Sequence, residues 1–311
     1  MKTRILTSAY IVIGLILIFV SRMLTPYIFD FAIGALAVIG AVEVGRVMER
    51  ARNFNNIYLV GSFPALLYVG FVVAINFNWP WQYYLLLVLC LMVLLFILSF
   101  ILTLILKKQT SREISRYQVE ETIIKYAFKK AINTAVILVY PTLLFACLFL
   151  LNHINNFSFG EKILSAPFDY YILLTVFLVT IFTDTFAMLV GSTLKGPKLC
   201  PLISPKKTIS GAVGGLIGGV LAAFIVYWFF TINSAFVKVF NSEMHVWMIA
   251  VIGIIGSIIS QFGDIFASVL KRRAYVKDYG TIFPGHGGVM DRVDGLIWNA
   301  AFMLIFVLIL L

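Results

Sequence analysis

Two stretches late in the chain hold most of the residues able to do chemistry. In Gln261-Phe262-Gly263-Asp264-Ile265-Phe266-Ala267-Ser268-Val269-Leu270-Lys271-Arg272, the polar residues Asp264, Ser268, Lys271 and Arg272 fall at i, i+4, i+7 and i+8. On a helix that spacing stacks them along one face. An acid with a hydroxyl and two cations above it suits a metal ion below and an anion at the surface. Lys277-Asp278 then leads into Gly280-Thr281-Ile282-Phe283-Pro284-Gly285-His286-Gly287-Gly288, followed by Val289-Met290-Asp291-Arg292-Val293-Asp294-Gly295. Glycines let backbone N–H groups approach an anion closely, and a helix starting after them aims its positive end at it. Asp291 and Asp294, three apart, share a face at that start. Magnesium prefers one or two carboxylates plus phosphate oxygens, so this set suits a magnesium–triphosphate complex.

Other residues join or leave the set. Asp184 lies within an apolar run, where a carboxylate costs roughly 2.5–3.5 kcal/mol at the bilayer centre and is a functional candidate by default. Pairing with a neighbouring cation to orient helices is the competing role for Asp184 and Asp264. Ser204-Pro205-Lys206-Lys207-Thr208 reads alone as an ordinary basic loop; beside the later motifs it reads as a phosphate site. Gly211, Gly215 and Gly219, with Gly214 and Gly218 alongside, are most simply a close helix-packing face. His286 suits phosphate contact or loop ordering, whereas His153 and His245 fall near external loops and are expected to be incidental. Cys90, Cys147 and Cys200 have no metal spacing, and the two inside apolar runs are expected to be buried.

These motifs are embedded in a chain of 311 residues that is 61% hydrophobic and 12% charged. Soluble chains carry roughly 25% charged residues, which excludes a disordered chain, a secreted disulfide scaffold and a cytosolic enzyme. A spanning helix needs about 20 apolar residues. Nine candidates fit: Ile5–Val20, Tyr27–Val42, Ile57–Ile75, Trp81–Leu106, Ala131–Leu151, Tyr170–Gly191, Gly211–Phe230, Val246–Phe262 and Leu296–Leu311. Ser21-Arg22-Met23 is no cleavage site for a signal peptide, so the first is expected to be retained.

Basic residues test that count independently. With nine spans, one side receives Lys2 and Arg4, then Arg46, Arg50 and Arg52, then the clusters within Lys107–Lys130, Lys195–Lys207 and Lys271–Arg292. These are 21 of the 24 Lys and Arg. The other side receives only Arg22, Lys162 and Lys238. The expected protein is an all-α polytopic membrane protein with a cytoplasmic N-terminus, cytoplasmic catalytic loops and an external C-terminus. Its polar motifs divide it into an N-terminal scaffold, residues 1–165, and a catalytic membrane domain, residues 166–311. Arg112, Arg116 and Glu120 at helical spacing suit either a basic helix on the membrane surface or a solvated extension of the neighbouring spans. The net charge of +10 fits topology and anionic lipid or phosphate, without the basic helix or zinc pattern of a nucleic-acid binder.

The run Ser268-x-x-Lys271-Arg272-x4-Lys277-Asp278-x-Gly280-x2-Phe283-Pro284-x-His286-Gly287-Gly288-x-x-Asp291-Arg292-Val293-Asp294 resembles the signature of the phosphatidate cytidylyltransferase (CDP-diacylglycerol synthase) family at every defined position. The likeness extends upstream through Asp184-Thr185-Phe186-Ala187 and Ser204–Thr208. It implies a membrane enzyme of phospholipid biosynthesis, a homodimer, that joins CTP and phosphatidic acid into CDP-diacylglycerol and pyrophosphate with Mg²⁺. A second metal or a monovalent cation stays open. The resemblance implies that Asp264, Asp291 and Asp294, with Asp184, hold or support metal, and that Lys271 joins the acids in catalysis. It implies phosphate contacts for Ser268, Lys271, Arg272, Lys277, His286, Gly287, Gly288 and Arg292, and nucleotide binding for Ser204, Lys206, Lys207 and Thr208. Three positions depart from the family pattern. Thr183 stands for asparagine, Ser192 for arginine, and Ile209-Ser210 for Trp-Glu.

Two other classes bring charge into a membrane chain. A CTP-dependent lipid-alcohol kinase would release CDP, and the unbroken signature favours the cytidylyltransferase over it. A transporter would place Asp184 and Asp264 on an ion path and wants paired repeats, which the N-terminal half does not supply.

Overall fold

The computed structural model describes residues 2–106, 110, 111, 113, 122–156, 168–232 and 246–310. The elements run α1 (Lys2–Arg22), α2 (Pro26–Arg50), α3 (Ile57–Asn76), α4 (Trp81–Ile105) and α5 (Ile123–Ile137). A π-turn at Leu138–Leu143 containing Pro141 leads into α6 (Leu144–Asn152) and a short 3-10 turn (Ile154–Asn156). Then come α7 (Phe168–Leu194), β1 (Lys198–Cys200), β2 (Ser204–Thr208), α8 (Ile209–Ile232), α9 (Val246–Arg273) and α10 (Met290–Leu310). Eight helical stretches among the described residues are long and apolar enough to cross a membrane, with α5 to α6 counting as one, Ile123–Asn152. The first expected span falls on α1. The expected surface helix through Arg112, Arg116 and Glu120 lies outside the described residues, as do Lys162, Lys238 and His245.

Helices outrun several of the expected apolar spans. The seventh expected span starts at Gly211, the eighth ends at Phe262 and the ninth starts at Leu296, whereas α8 starts at Ile209, α9 runs on to Arg273, and α10 starts at Met290. Hydropathy marks the lipid-facing part of a helix; backbone hydrogen bonding continues past it. Asp264, Ser268, Lys271, Asp291 and Asp294 are therefore all helical. The two strands among the described residues form an antiparallel hairpin pairing Lys198 with Thr208 and Cys200 with Ser204. Cys90 is exposed rather than buried. It lies on α4 among Leu86, Leu89 and Val93, each at least 56% exposed, and an apolar run in a bilayer is free to face lipid.

Contacts group the chain into two compact units. The first comprises Met1–Arg22, Tyr27–Ala146 and Arg273–Met290. Its core holds Phe29, Phe63, Leu67, Phe71 and Tyr84, each no more than 2% exposed. Inside it, several polar groups are paired across elements. The Asn55 side chain donates to the Gly45 carbonyl at 2.8 Å, that of Asn133 to the Phe54 carbonyl at 3.0 Å, and Thr134 accepts the Asn56 N–H at 2.9 Å. The first of these bonds ties the α2–α3 connection to α2 and the other two tie it to α5, since a buried polar group without a partner is costly.

The second unit comprises Met23–Pro26, Cys147–Arg272 and Asp291–Leu311. Its organising feature is the glycine face of α8. A Cβ on Gly218 would lie 2.7 Å from the Phe182 carbonyl oxygen, and one on Gly211 would lie 2.8 Å from that of Ala187. The packing reading of these glycines holds, because the backbones of α7 and α8 approach too closely for any side chain between them. On α9, a Cβ on Gly263 would stand 2.8 Å from the Asp294 carbonyl oxygen of α10. The Asn299 amide of α10 donates to the Val176 carbonyl at 3.1 Å and to the Thr180 hydroxyl at 3.0 Å. Small residues and one buried amide thus hold α7, α8, α9 and α10 at fixed spacing.

Gly218→Val should lower stability by about 1–3 kcal/mol through overpacking. Gly14→Ala, where a Cβ meets nothing within 4 Å, should shift it by less than about 1 kcal/mol, in the stabilising direction. Thermal unfolding of both variants in detergent checks the contrast.

Candidate functional site

The expected polar face of α9 forms as predicted, but its members have different partners. Asp264 is half-buried, and its Oδ2 accepts from Lys207 Nζ at 2.7 Å. Lys271, 8% exposed, donates to Asp291 Oδ1 of α10, also at 2.7 Å. Ser268 is buried between them along the helix. Arg272 is exposed, and its Nε donates to the Ile203 carbonyl at 3.1 Å, which fastens the hairpin to the end of α9.

The hairpin exists to deliver Lys207. Thr208 closes β2 and caps α8: its buried hydroxyl accepts the Gly211 N–H at 3.1 Å, the bond expected of an N-cap threonine. The Ser210 hydroxyl donates to the Lys195 carbonyl at 2.7 Å, and the Ile209 N–H to that of Pro197 at 3.0 Å. Lys207 is thereby held against Asp264, while Lys206 is exposed and Ser204 half-buried. Leu202, at the hairpin tip, is 95% exposed.

Asp184 of α7 and Asp294 of α10 complete the acidic group. Asp294 is buried, and its Oδ1 accepts the Gly295 N–H at 2.8 Å. Asp264 acts electrostatically on both Asp184 and Asp294; Lys207 and Arg292 act on Asp184, and Lys271 on Asp294. Four acids and four cations therefore gather at the ends of α7, α9 and α10 that meet the hairpin. Among the described residues, no three Asp, Glu, His or Cys side chains converge as a ready metal cage. A magnesium ion needs no such cage, since it keeps waters and takes substrate phosphate oxygens beside one or two carboxylates. The hard oxygen donors of Asp264 and Asp294 fit it in kind.

The remaining signature residues belong to the first unit. Phe283 and Gly287 exchange backbone hydrogen bonds at 2.9 and 3.1 Å, closing a tight turn in which Gly285 and Gly287 take positive φ of 78° and 87°. These two positions require glycine for backbone reasons. His286 is half-buried within the turn, and Lys277 is exposed. Gly288 is buried, and what it faces is a protein group that the sequence motifs do not announce. The carboxylate of Glu43 accepts the Val289 and Met290 N–H groups at 3.1 and 2.9 Å. No motif surrounds Glu43, and its only sequence signal is an acid directly after the second expected span, Tyr27–Val42.

The three departures also acquire partners. Thr183 is buried and donates to the Ser257 hydroxyl at 2.9 Å, which donates on to the Gly253 carbonyl at 2.7 Å. Ser192 bonds the Leu189 carbonyl of its own helix at 3.0 Å, and Ser210 anchors the loop through Lys195. His153, expected to be incidental, is 2% exposed and shares a 3.2 Å hydrogen bond with Asn156.

Residues 2–310 match the family model described as the cytidylyltransferase family. Proteins named phosphatidate cytidylyltransferase are similar over part of the chain. The one from Brucella abortus biovar 1 (strain 9-941) is 40% identical over 144 residues, 45% of this chain and 48% of its own length. That from Rickettsia felis is 41% identical over 134 residues, covering 42% and 56%. That from Staphylococcus haemolyticus is 39% identical over 126 residues, covering 40% and 45%. The aligned chain spans about half the length of these relatives.

The two ion pairs should respond differently to truncation. The Lys271 and Asp291 side chains are 10% and 3% exposed, against 24% and 37% for Lys207 and Asp264. Asp291→Ala removes a charged hydrogen-bond partner from a buried ammonium and should cost about 1.5–3 kcal/mol. Lys207→Ala should cost no more than about 1 kcal/mol. Equal losses in thermal unfolding would contradict this ordering.

Proposed function

Because the chain belongs to the cytidylyltransferase family, we propose that it transfers the cytidylyl group of CTP to phosphatidic acid, giving CDP-diacylglycerol and pyrophosphate. The observation that carries the reading is the pair of lysine–aspartate contacts, Lys207–Asp264 and Lys271–Asp291, beside Asp184 and Asp294. Phosphate chemistry at a bilayer needs positive charge at headgroup depth, held in place by acids that also suit a divalent cation.

In the proposed reaction, a phosphate oxygen of phosphatidic acid attacks the α-phosphorus of CTP. The new P–O bond forms as the bond to the β-phosphate bridging oxygen breaks, and that electron pair leaves with pyrophosphate. The attacking oxygen is already anionic, so no general base is required. Lys271, Arg272, Lys207 and Arg292 supply cationic stabilisation for charge developing on the transferred phosphoryl oxygens. An ammonium carries three N–H donors, and Asp264 and Asp291 orient Lys207 and Lys271 by each accepting one of them at 2.7 Å. Ser268 adds a hydroxyl on the same face, and Ser204, Lys206 and Thr208 belong to the nucleotide side. Asp264 and Asp294, supported by Asp184 and Asp291, would hold Mg²⁺, which when bound neutralises triphosphate charge and stabilises the leaving group.

The same reading places the N-terminus and these motifs on the cytoplasmic side and pairs two copies as a homodimer. A cysteine replacing Lys277 should then label only after the cytoplasmic face is opened to reagent, and purified protein should run at twice the chain mass. With α-labelled CTP, phosphatidic acid and Mg²⁺, label should enter the lipid fraction, and with γ-labelled CTP it should not. Lipid labelled from the γ-position alone would sink the proposal and favour a kinase. Asp264→Asn should lower turnover by about 100-fold or more, and a chelator should abolish it until Mg²⁺ is restored.

A further inference from the structure

Glu43 sits in α2, 4% exposed, yet its carboxylate is engaged with a segment some 246 residues away in sequence. One oxygen accepts the Val289 N–H at 3.1 Å and the other accepts the Met290 N–H at 2.9 Å. Met290 is the first residue of α10. The first N–H groups of a helix lack partners within it, and the helix dipole favours an anion there. Glu43 therefore occupies the seat that the glycine-rich sequence offers to a phosphate.

The surrounding residues are shaped to it. A Cβ on Gly280 or on Gly288 would overlap the Glu43 carboxylate, so both positions admit no side chain while the acid is in place. One turn before Glu43, a Cβ on Gly40 would lie 3.5 Å from the Met290 sulfur, which shows the same face of α2 turned toward the start of α10. A bidentate carboxylate, two glycines cleared for it and a close backbone approach together fix where α10 begins. Asp291 is the next residue along that helix, and Asp294 lies one turn later.

We infer that Glu43 is a positioning residue: by capping α10 from α2 and packing against Gly280 and Gly288, it sets the register of the helix that presents Asp291 and Asp294. This rests on the proposed cytidylyl transfer for its functional consequence, though not for its structural one. Gly280 and Gly288 are then glycines to admit an internal carboxylate, and the nucleotide phosphates must be held by side chains rather than by the α10 N-terminus.

The test is a comparison of Glu43→Gln, Glu43→Asp and Glu43→Ala, with activity expressed per folded protein and amide hydrogen exchange measured at Val289 and Met290. Glutamine keeps the volume but offers one acceptor oxygen where two are used, and it removes the charge. Glu43→Gln should speed exchange at these amides and lower kcat roughly 10- to 100-fold. The KM for CTP should stay within about twofold. Glu43→Asp should recover part of the kcat and Glu43→Ala should lose the most. Gly288→Ala should be harmful alone and nearly neutral in a Glu43→Ala background, the non-additivity expected of two groups competing for one space.

Unchanged exchange at Val289 and Met290 in Glu43→Gln and Glu43→Ala would overturn the inference. So would activity that falls only in proportion to the folded fraction, or a rise in KM with kcat intact. If the unaltered protein makes no CDP-lipid, the functional reading fails on its own, and the exchange measurement and the Gly288 stability cycle still decide the capping role.

Discussion

An ionised side chain at the edge of hydrocarbon has to be answered by protein, because water is scarce there and lipid offers nothing in return. The architecture reflects how this chain meets that demand. Asp264 is answered by Lys207, Asp291 by Lys271, and Glu43 by two backbone N–H groups. Each answer needs a second element in a fixed place. Lys207 requires the hairpin, the hairpin requires the Thr208 cap and the Arg272 tether, and the Lys271 pair requires α9 and α10 to run close. The glycine faces supply that closeness by letting backbones approach where side chains would keep them apart.

Much of this was legible in the sequence because lipid imposes simple rules. Long apolar stretches must be helices, and an i, i+4, i+7, i+8 spacing must share a face, so spacing alone placed Asp264, Ser268, Lys271 and Arg272 correctly. The glycine stripe from Gly211 to Gly219 was likewise readable as packing. The hairpin was not, since five residues of Ser-Pro-Lys-Lys-Thr carry no alternating apolar pattern to mark a strand. Cys90 misled because hydropathy cannot separate a lipid-facing residue from a core one. Glu43 was invisible for a different reason: its meaning depends on residues some 246 positions away, and local periodicity says nothing about pairings at that range.

The glycine-rich signature shows how one residue pattern serves several physical demands. Gly285 and Gly287 answer a backbone demand, a turn with positive φ. Gly280 and Gly288 answer a steric one, room for a carboxylate. Thr183, Ser192 and Ser210, which depart from the family pattern, are each engaged in hydrogen bonds within the second unit. Thr183 links α7 to α9 and Ser210 anchors the loop before α8, while Ser192 bonds back within its own helix.

Neither compact unit is a continuous stretch of polypeptide. The chain passes from one to the other at Arg22, Pro26, Ala146, Arg272 and Met290. During synthesis, the first unit therefore cannot close until the segment Arg273–Met290 has emerged, and the second waits for Asp291–Leu311. Membrane insertion of the early helices must precede their final packing, leaving apolar helices in the bilayer with unfilled contacts for most of translation. The acids of the signature arrive only at that late stage, so the charged site is assembled in the same step that completes both halves.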